Sequence, residues 1–433
     1  MKHGILIGIL GAGLALPGCV AKSWENEPKT LVTDAQVAAA LGDRGDALEP
    51  FDPASVPQMD PPAHVRPCCS FGMDLKVKVG AVTVPGYTKG NIVGVDGLGR
   101  HEYDNGTVTL NERLTSLATI EGNGLVYTCR GGFVDVAHVR DNADMTLFLT
   151  TKIVAALPGP TVVTLEGDGA TRRVAIKGVP PEAIERLGRW ETAAALAEWA
   201  SFQISIWHEI VTFYGYESFP GFSEKVSAFS PEDLYSNAVG AKLAAGIVTT
   251  RRIHTRDEWD DTLKAWIPVA LEHLGAQPVD TSKLVMKALD GRWWDSKKEL
   301  PDWTLVTKRK MDIGARVAPW LYADAKLPPD SVIEAACSNR GLVLPLTVPD
   351  HLGEVPIAEI ATVDFEVKDW APEALIPKGS ASRRLTNADF PRIVKAISAE
   401  MEKTLGPGFD RPGSAPAKIE APAETAAPDA PAK

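Results

Sequence analysis

Residues 191–214 read ETAAALAEWASFQISIWHEIVTFY, and this stretch decides the fold because it predicts a long helix that is apolar around most of its circumference. Such a helix is buried on nearly all sides. Its polar exceptions recur at steps of three and four residues, which places them on one face. They are Glu198, Ser201, Ser205, His208 and Thr212, with Glu209 beside them. Burying a carboxylate and an imidazole is costly unless each is paired or binds a metal, so this polar stripe requires partners.

His208 and Glu209 match the first half of the zinc motif HExxH, in which two histidines one turn apart bind zinc and the glutamate acts as base. Thr212 stands where the second histidine would be. We therefore do not predict a zincin-type protease. The polar stripe keeps two interpretations: a hydrogen-bond network between helices, or a site for a ligand.

Residues 127–144 form a second polar segment, YTCRGGFVDVAHVRDNAD, which predicts a strand end, a Gly-Gly turn and then a helix. On that helix one face carries Asp135, His138, Asp141 and Asn142. His138 and Asp141 lie one turn apart, a spacing that can direct a nitrogen and an oxygen to one metal ion. Two alternatives are open: Asp141 orients His138 as a general base, or the acids offset the helix dipole and stay solvated.

A third histidine, His101, lies in the glycine-flanked stretch 98–104, which predicts a loop. Loops often present ligands from a rigid scaffold, although a solvated loop histidine is the simpler interpretation. Three histidines with two carboxylates make a donor set that suits zinc or a similar divalent ion. The expected metal ligands are His101, His138 and His208, and the expected catalytic carboxylates are Glu209 and Asp141.

This donor set makes a metal-dependent hydrolase the leading functional hypothesis, with peptide, cell-wall material or lipid as substrate. A bound metal lowers the pKa of a water molecule toward neutrality, and Glu209 or Asp141 would accept the proton. The competing hypothesis is a non-catalytic protein with a structural or partner-binding role, in which the polar stripe only fixes helix packing.

Glu232 and Asp233 offer two further oxygen ligands. The residues before them, Ser230 and Pro231, form a typical helix start, with an N-cap followed by a proline in the first turn. Capping therefore explains both acids without a metal, and it is the favoured interpretation.

The chain has five cysteines, of which Cys19 lies near the N-terminus and is considered below. The other four are Cys68, Cys69, Cys129 and Cys337. An even number in an exported chain indicates disulfide bonding. A bond between the adjacent Cys68 and Cys69 would be strained, so we expect one of them to pair with Cys129 or Cys337. The alternative is an activated thiol at Cys129 with His138 as its base.

The first residues predict export. Lys2 and the apolar stretch 4–16 lead into Leu16-Pro17-Gly18-Cys19, which resembles the lipobox of bacterial lipoproteins. The stretch is shorter than the roughly 20 residues that span a bilayer. We therefore expect a signal peptide over 1–18 and a lipidated Cys19. No aspartate follows Cys19, which favours the periplasmic face of the outer membrane. The alternative is an ordinary signal peptide in which Cys19 is incidental.

The formal net charge of −11 argues against a nucleic-acid partner, because phosphate binding requires a concentrated basic face. The longest basic cluster is only residues 308–310. No second apolar stretch approaches membrane length, so the expected membrane contact is the lipid anchor alone.

The sequence predicts an α+β fold in which helix predominates, with small β-hairpins such as 161–165 with 172–177. The expected organisation is a lipidated tether over 19–65, a main domain over 66–330, a C-terminal α/β extension over 331–405 and a disordered Pro/Ala-rich tail over 406–433.

Four segments carry a resemblance to known sequences: residues 66–72 (RPCCSFG), 129–141, 207–215 and 229–237 (FSPEDLYSN). They resemble a family of bacterial exported proteins known only as a domain of unknown function. The resemblance covers about residues 60–330. It implies membership of that family and brings no activity or catalytic residues with it.

Overall fold

The computed structural model describes residues 32–42, 56–63, 65–66, 70–79, 82–85, 91–105, 121–217, 223–250, 253–339, 341–368, 375–376 and 383–415. Several sequence predictions lie outside these residues: the signal peptide over 1–18, lipidation of Cys19, and the bonding of Cys68 and Cys69. Within the described part of the chain, no helix is both long and apolar enough to cross a membrane.

Helix predominates over strand, which confirms the predicted α+β class. The helices are α1 (Asp34–Leu41), α2 (Val136–Ala156), α3 (Pro181–Leu187), α4 (Arg189–Phe213), α5 (Asp233–Thr250), α6 (Arg256–His273), α7 (Val279–Ala288), α8 (Ser331–Cys337), α9 (Ile357–Ile360) and α10 (Phe390–Leu405). The strands are β1 (Lys76–Val79), β2 (Val82–Pro85), β3 (Leu125–Thr128), β4 (Gly132–Asp135), β5 (Thr161–Gly167), β6 (Ala170–Ile176), β7 (Arg316–Val317), β8 (Leu346–Thr347), β9 (His351–Leu352), β10 (Val355–Pro356), β11 (Ala361–Val367) and β12 (Arg384–Thr386).

Three long helices, α2, α4 and α5, pack against one another at the centre of the fold. Helix α4 confirms the helix predicted over 191–214 and is buried along nearly its whole length. The backbones of α2 and α5 meet at Gly240, where an added Cβ would lie 2.1 Å from the carbonyl oxygen of Val139. Only glycine permits this approach. The packing brings the first turns of α2 and α5 beside the C-terminal half of α4.

The main sheet has four antiparallel strands in the order β12-β11-β6-β5. Strands β5 and β6 confirm the predicted hairpin. Strands β11 and β12 come from the segment predicted as an extension over 331–405, and Phe365 of β11 stacks on Trp207 of α4 with ring centroids 4.4 Å apart. The extension therefore shares one core with the main body.

A short antiparallel pair, β3 with β4, precedes α2. The prediction that a helix directly follows the Gly-Gly turn is wrong, because residues 132–135 first form a strand that pairs with residues 125–128. The helix begins only after this strand. The other paired strands are β1 with β2, β7 with β8, and β9 with β10.

The predicted disordered tail is wrong for its first ten residues. Phe409 is buried, and Trp293 donates its ring N–H to the carbonyl oxygen of Pro412 at 2.9 Å. Lys308 donates to the carbonyl oxygen of Gly408 at 2.6 Å. The buried Phe409 side chain and these hydrogen bonds hold residues 406–415 against the body, and residues 416–433 lie outside the described part of the chain.

Candidate active site

Two clusters of buried charged side chains include residues of α2 or of its N-cap. The acid–histidine cluster consists of Asp135, His138, His208, Glu209, Glu232 and Asp233. The arginine cluster consists of Arg66, His101, Glu121, Arg140, Asp141 and Asp144. Of these twelve side chains, only that of Asp141 is appreciably exposed, at 19%.

His138 comes from the first turn of α2, which Asp135 caps by accepting a hydrogen bond from the amide of Ala137 at 2.8 Å. The Nδ1 atom of His138 lies 2.9 Å from Oδ1 of Asn237 on α5, and its Nε2 atom lies 3.9 Å from Oδ1 of Asp233. The amide oxygen of Asn237 is an acceptor only, so Nδ1 of His138 carries the proton and donates. Nε2 is thereby turned toward the acids of α5.

Asn237 also joins the helices to one another. Its Oδ1 atom accepts a second hydrogen bond, from Asn142 at 2.6 Å, and Ser201 of α4 donates to Oδ1 of Asn142 at 3.2 Å. The residues of the polar stripe therefore do not share one role. Ser201 belongs to an internal hydrogen-bond network, the first of the two interpretations that the sequence allowed.

His208 and Glu209, further along α4, have unsatisfied atoms. Nδ1 of His208 lies 3.2 Å from Oδ1 of Asp168, while its buried Nε2 atom has no hydrogen-bond partner in the described residues. Oε2 of Glu209 accepts from the amide of Phe229 at 2.7 Å, and its Oε1 atom has no such partner. Each side chain is fixed at one atom and presents another.

The backbone of Phe229 is strained where it meets Glu209. Its φ angle is +57°, a conformation that bulky L-residues rarely adopt. Arg309 holds the same loop by donating to the carbonyl oxygens of Val226 and Ala228, each at 2.8 Å. Strained backbone of this kind persists where surrounding contacts enforce it, and it is concentrated at functional sites.

The predicted capping role of Glu232 and Asp233 holds for only one of them. Oδ2 of Asp233 accepts from the amide of Ser230 at 2.6 Å, whereas neither carboxylate oxygen of Glu232 hydrogen-bonds to another described residue. The hydroxyl of Ser230 also has no partner there. Capping therefore does not explain Glu232, because α5 begins at Asp233 and the Glu232 side chain is turned into the interior.

Charges in the acid–histidine cluster shift one another's pKa values. Burial alone would lower the pKa of His138, but Asp233, Asp135 and Glu209 raise it to about 9. Burial likewise opposes the effect of Asp168, which raises the pKa of His208 to about 10. Both cations are stabilised because the cluster has a negative potential. Burial and neighbouring carboxylates hold the pKa of Glu232 and of Asp233 well above the usual range.

The arginine cluster, in contrast, is tightly paired. The guanidinium of Arg66 binds Glu121 at 2.6 Å, Asp141 at 2.7 Å and Asp144 at 3.2 Å. His101 lies between two of the same acids, with Nε2 2.9 Å from Asp144 and Nδ1 3.3 Å from Glu121. These contacts account for every acid in the cluster, whereas Nδ1 of His101 and Nε of Arg140 are buried without a hydrogen-bond partner among the described residues.

This geometry corrects two predicted site residues. His101 is a buried partner of Glu121 and Asp144, so it contributes neither to the acid–histidine cluster nor to a solvated loop. The carboxylate of Asp141 accepts from Arg66, at both its backbone amide and its side chain. His138 and Asp141 do share one face of α2, as their one-turn spacing predicts, but Arg66 binds the carboxylate of Asp141.

Among the described residues, no group of three or more His, Cys, Asp or Glu side chains is already arranged to hold a metal ion. The predicted set of three histidines is not assembled there. The donor atoms that remain unpaired belong to His208, Glu209 and Glu232.

Cys129 and Cys337 form a disulfide that joins the turn after β3 to the end of α8. The expectation that Cys68 or Cys69 would pair with one of them is therefore wrong. The alternative of an activated Cys129 thiol is also excluded, because a disulfide-bonded sulfur is not a free nucleophile.

Sequence reasoning missed Asp168, the residue that holds His208. It lies at the tip of the β5–β6 hairpin, between Gly167 and Gly169, with a φ angle of +46°. Its turn position seemed a sufficient explanation. The available signal was that an acid at a hairpin tip is normally solvated, whereas this hairpin precedes a long helix that the sequence predicts to be buried on nearly all sides.

Comparisons with known proteins give a family and no activity. Residues 56–323 match the family model DUF4056, described as a protein of unknown function, and this match covers more than half of the chain. No curated protein matches the chain, and no solved structure matches it.

Proposed function

The chain belongs to the DUF4056 family, and because that family is described only as a protein of unknown function, we propose a function from the acid–histidine cluster itself. The protein is a metal-dependent hydrolase that acts on a substrate in the cell envelope. One observation carries this proposal: both oxygens of Glu232, Oε1 of Glu209 and Nε2 of His208 are buried without hydrogen-bond partners among the described residues.

Buried polar atoms without a hydrogen-bond partner destabilise the folded protein. A buried polar group without a hydrogen bond costs about 1–3 kcal/mol, and a charged group costs more. Most buried polar atoms in native proteins are satisfied, so a concentration of exceptions indicates that something else occupies the position. Three of the four atoms named above are carboxylate oxygens. They need donors or a cation.

The donor chemistry fits a divalent cation. Carboxylate oxygen and imidazole nitrogen are the ligands that zinc and similar ions take in catalytic sites. The side chains that would hold the ion are His138, His208 and Glu232, all of which are less than a tenth exposed. A site this deeply buried suits a single ion better than a large part of a substrate. Since no ligand group is already arranged, side chains must rotate to bind.

A bound divalent cation would supply Lewis acidity and a more acidic water molecule. Glu209 has the contacts of a proton acceptor, because the Phe229 amide fixes Oε2 and leaves Oε1 unpaired. In hydrolysis Glu209 takes a proton from the attacking water and returns it to the leaving group. Asp141 is no longer an alternative base, since Arg66 binds it.

Anchoring at the envelope completes the proposal. It is supported by the sequence 16–19, Leu-Pro-Gly-Cys, and by the apolar stretch before it. The lipidated Cys19 would confine the enzyme to substrates within reach of the membrane. Metabolic labelling with palmitate tests this: we expect label on the wild type and none on Cys19→Ala, and a labelled Cys19→Ala protein would refute lipidation at this residue.

Metal binding is tested on untagged mature protein by elemental analysis and by zinc titration calorimetry. We expect one zinc ion per chain in the wild type and at least tenfold weaker binding for Glu232→Gln. The matched control is Asp141→Asn, which makes the same carboxylate-to-amide change in the arginine cluster and should bind zinc as the wild type does. A wild type without zinc affinity, or an unaffected Glu232→Gln, would refute the metal site.

Hydrolysis is tested separately. Zinc-loaded and chelator-treated protein are incubated with purified cell wall, phospholipid vesicles and a peptide mixture, and the products are identified by mass spectrometry. We expect cleavage of one class by the loaded wild type only, and a loss of about 100-fold or more in Glu209→Gln if Glu209 is the base. No product from any class would refute the hydrolase.

A further inference from the structure

We infer that Asp168 is a positioning residue of this site: from the tip of the β5–β6 hairpin it holds Nδ1 of His208 and thereby presents Nε2 to the ligand. The role assigned to Nε2 rests on the proposed function. The hold on Nδ1 does not.

Asp168 has both side-chain oxygens engaged. Oδ1 lies 3.2 Å from Nδ1 of His208, and Oδ2 accepts from the guanidinium of Arg172. Arg172 is itself fixed, because its other terminal nitrogen donates to the carbonyl oxygen of Glu166 at 2.8 Å. The carboxylate is therefore locked between a cation and an imidazole, and it cannot rotate without breaking both contacts.

The main chain of Asp168 contacts α4 as well. Its carbonyl oxygen accepts from the ring N–H of Trp207 at 3.0 Å. One hairpin residue thus binds two consecutive residues of the helix, Trp207 by its backbone and His208 by its side chain. A residue that only closed a turn would need neither contact.

An acceptor at Nδ1 decides which nitrogen of His208 is available. A carboxylate oxygen cannot donate, so Nδ1 keeps its proton, and when the ring loses its other proton the lone pair is on Nε2. That atom is buried and unpartnered in the described residues. Carboxylates that orient a metal-binding histidine in this way are typical of metal sites, and removing one weakens metal binding about 10- to 100-fold.

The hairpin tip is held in place by a part of the chain outside the matched residues 56–323. Strand β11 pairs with β6 along its whole length, from Ala361 opposite Ile176 to Val367 opposite Ala170. Beyond the strand, the amide of Lys368 donates to the carbonyl oxygen of Gly169 at 2.9 Å. The C-terminal segment thus fixes the position from which Asp168 reaches His208.

The variant Asp168→Asn tests this role without disturbing the turn, because asparagine tolerates a positive φ angle well. Arg172 can only donate, so the amide oxygen of the new side chain faces Arg172 and its NH₂ group faces His208. Nδ1 must then accept, and the proton of the neutral ring moves to Nε2. We therefore expect a tautomer switch in His208.

Two measurements on the full mature chain read this out. Side-chain ¹⁵N shifts of His208, recorded above its raised pKa so that the ring is neutral and assigned by comparison with His208→Ala, report the tautomer. Zinc titration reports the site. We expect Asp168→Asn to switch the tautomer and to weaken zinc binding about 10- to 100-fold. The control Glu166→Gln removes one negative charge from an exposed position of the same hairpin and should change neither.

The outcomes separate the two proposals. A wild type that does not bind zinc refutes the proposed metal site, and the tautomer measurement still decides on Asp168. An unchanged His208 tautomer in Asp168→Asn overturns the positioning role whatever the zinc result. The double variant Asp168→Asn with His208→Ala should bind zinc no more weakly than His208→Ala alone, and a further loss would show that Asp168 acts elsewhere.

Discussion

The arginine cluster and the acid–histidine cluster both contain buried histidines and carboxylates, but they differ in how completely the carboxylate oxygens are paired. In the first, Arg66 and His101 contact Glu121 and Asp144 through short ion pairs. In the second, Glu232 has two buried oxygens with no partner in the described residues. Since both clusters include residues of α2, burial alone does not account for the difference.

The two clusters therefore have different roles. A cluster whose carboxylates are all paired ties distant parts of the chain together, as Arg66 does for segments up to 78 residues away. A cluster with unpaired atoms reduces stability, and native proteins retain such features chiefly where function requires them. The strained backbone at Phe229 adds to that cost in the acid–histidine cluster.

The largest expected effect is on stability, from Arg66→Met. This change leaves the carboxylates of Glu121 and Asp144 buried without the guanidinium that binds both of them, so the free energy of unfolding should fall by about 3–5 kcal/mol. Denaturation in urea measures it. The control Arg100→Met removes an exposed arginine, 51% accessible, and should cost less than about 1 kcal/mol. Equal losses would mean that the arginine cluster does not stabilise the fold.

The pH dependence should come next in size. Burial raises the pKa of Glu121, but Arg66 and His101 more than offset it, and the pKa lies well below the usual range. His101 and Arg66 likewise lower that of Asp144 against the effect of burial. A carboxyl group whose pKa is lower in the folded than in the unfolded protein stabilises the fold at a pH above its unfolded-state pKa. Those pKa values are near 4.5 for Glu121 and 3.8 for Asp144, and the stabilisation is lost as the pH falls below them.

We therefore expect the free energy of unfolding to drop between pH 4.5 and pH 3, by at most about 1.4 kcal/mol per pH unit for each group. Urea denaturation at several pH values measures this slope. Glu232→Met should keep the same slope, because it leaves the arginine cluster intact. A flat profile down to pH 3 would contradict the depressed pKa values.

What could be predicted from sequence follows the range of the interaction. Helix α4 and the β5–β6 hairpin were predicted because a 3.6-residue period and a Gly-Asp-Gly turn are local patterns. The pairing of β11 with β6 was not predicted, since it joins residues between 185 (Ala361 with Ile176) and 197 (Val367 with Ala170) positions apart and leaves no local signal. The C-terminal segment therefore looked like an extension.

The site shows the same limit. The spacing of His138 and Asp141 identified their shared helix face, but the partner of Asp141 is Arg66, which precedes it by 75 residues. Glu232 shows a different failure. Its position just before α5 fits a capping pattern, which seemed to explain the residue completely. The burial of its side chain, unpaired among the described residues, was therefore not predicted.

An intermediate effect is expected where the acid–histidine cluster joins the helix network. Asn237→Leu removes the acceptor shared by His138 and Asn142, leaving donors buried, and should cost about 1–3 kcal/mol of unfolding free energy. Ser201→Ala removes one neutral hydrogen bond at the edge of the same network and should cost about 1 kcal/mol. If Ser201→Ala costs more, Asn237 is not the centre of the network.

The smallest effect has the opposite sign. Glu232→Met replaces an unpartnered buried carboxyl with an apolar side chain of similar length, so metal-free protein should become more stable by about 1 kcal/mol. Urea denaturation in the presence of a chelator measures this. Glu198→Met is the matched control. Glu198 is also buried, but Nζ of Lys242 lies 3.5 Å from its carboxylate. Removing this carboxylate deprives the buried ammonium of a counter-charge and should destabilise the protein. If both variants lose stability alike, Glu232 has a structural partner, and the contrast between the two clusters that assigns one of them a function no longer holds.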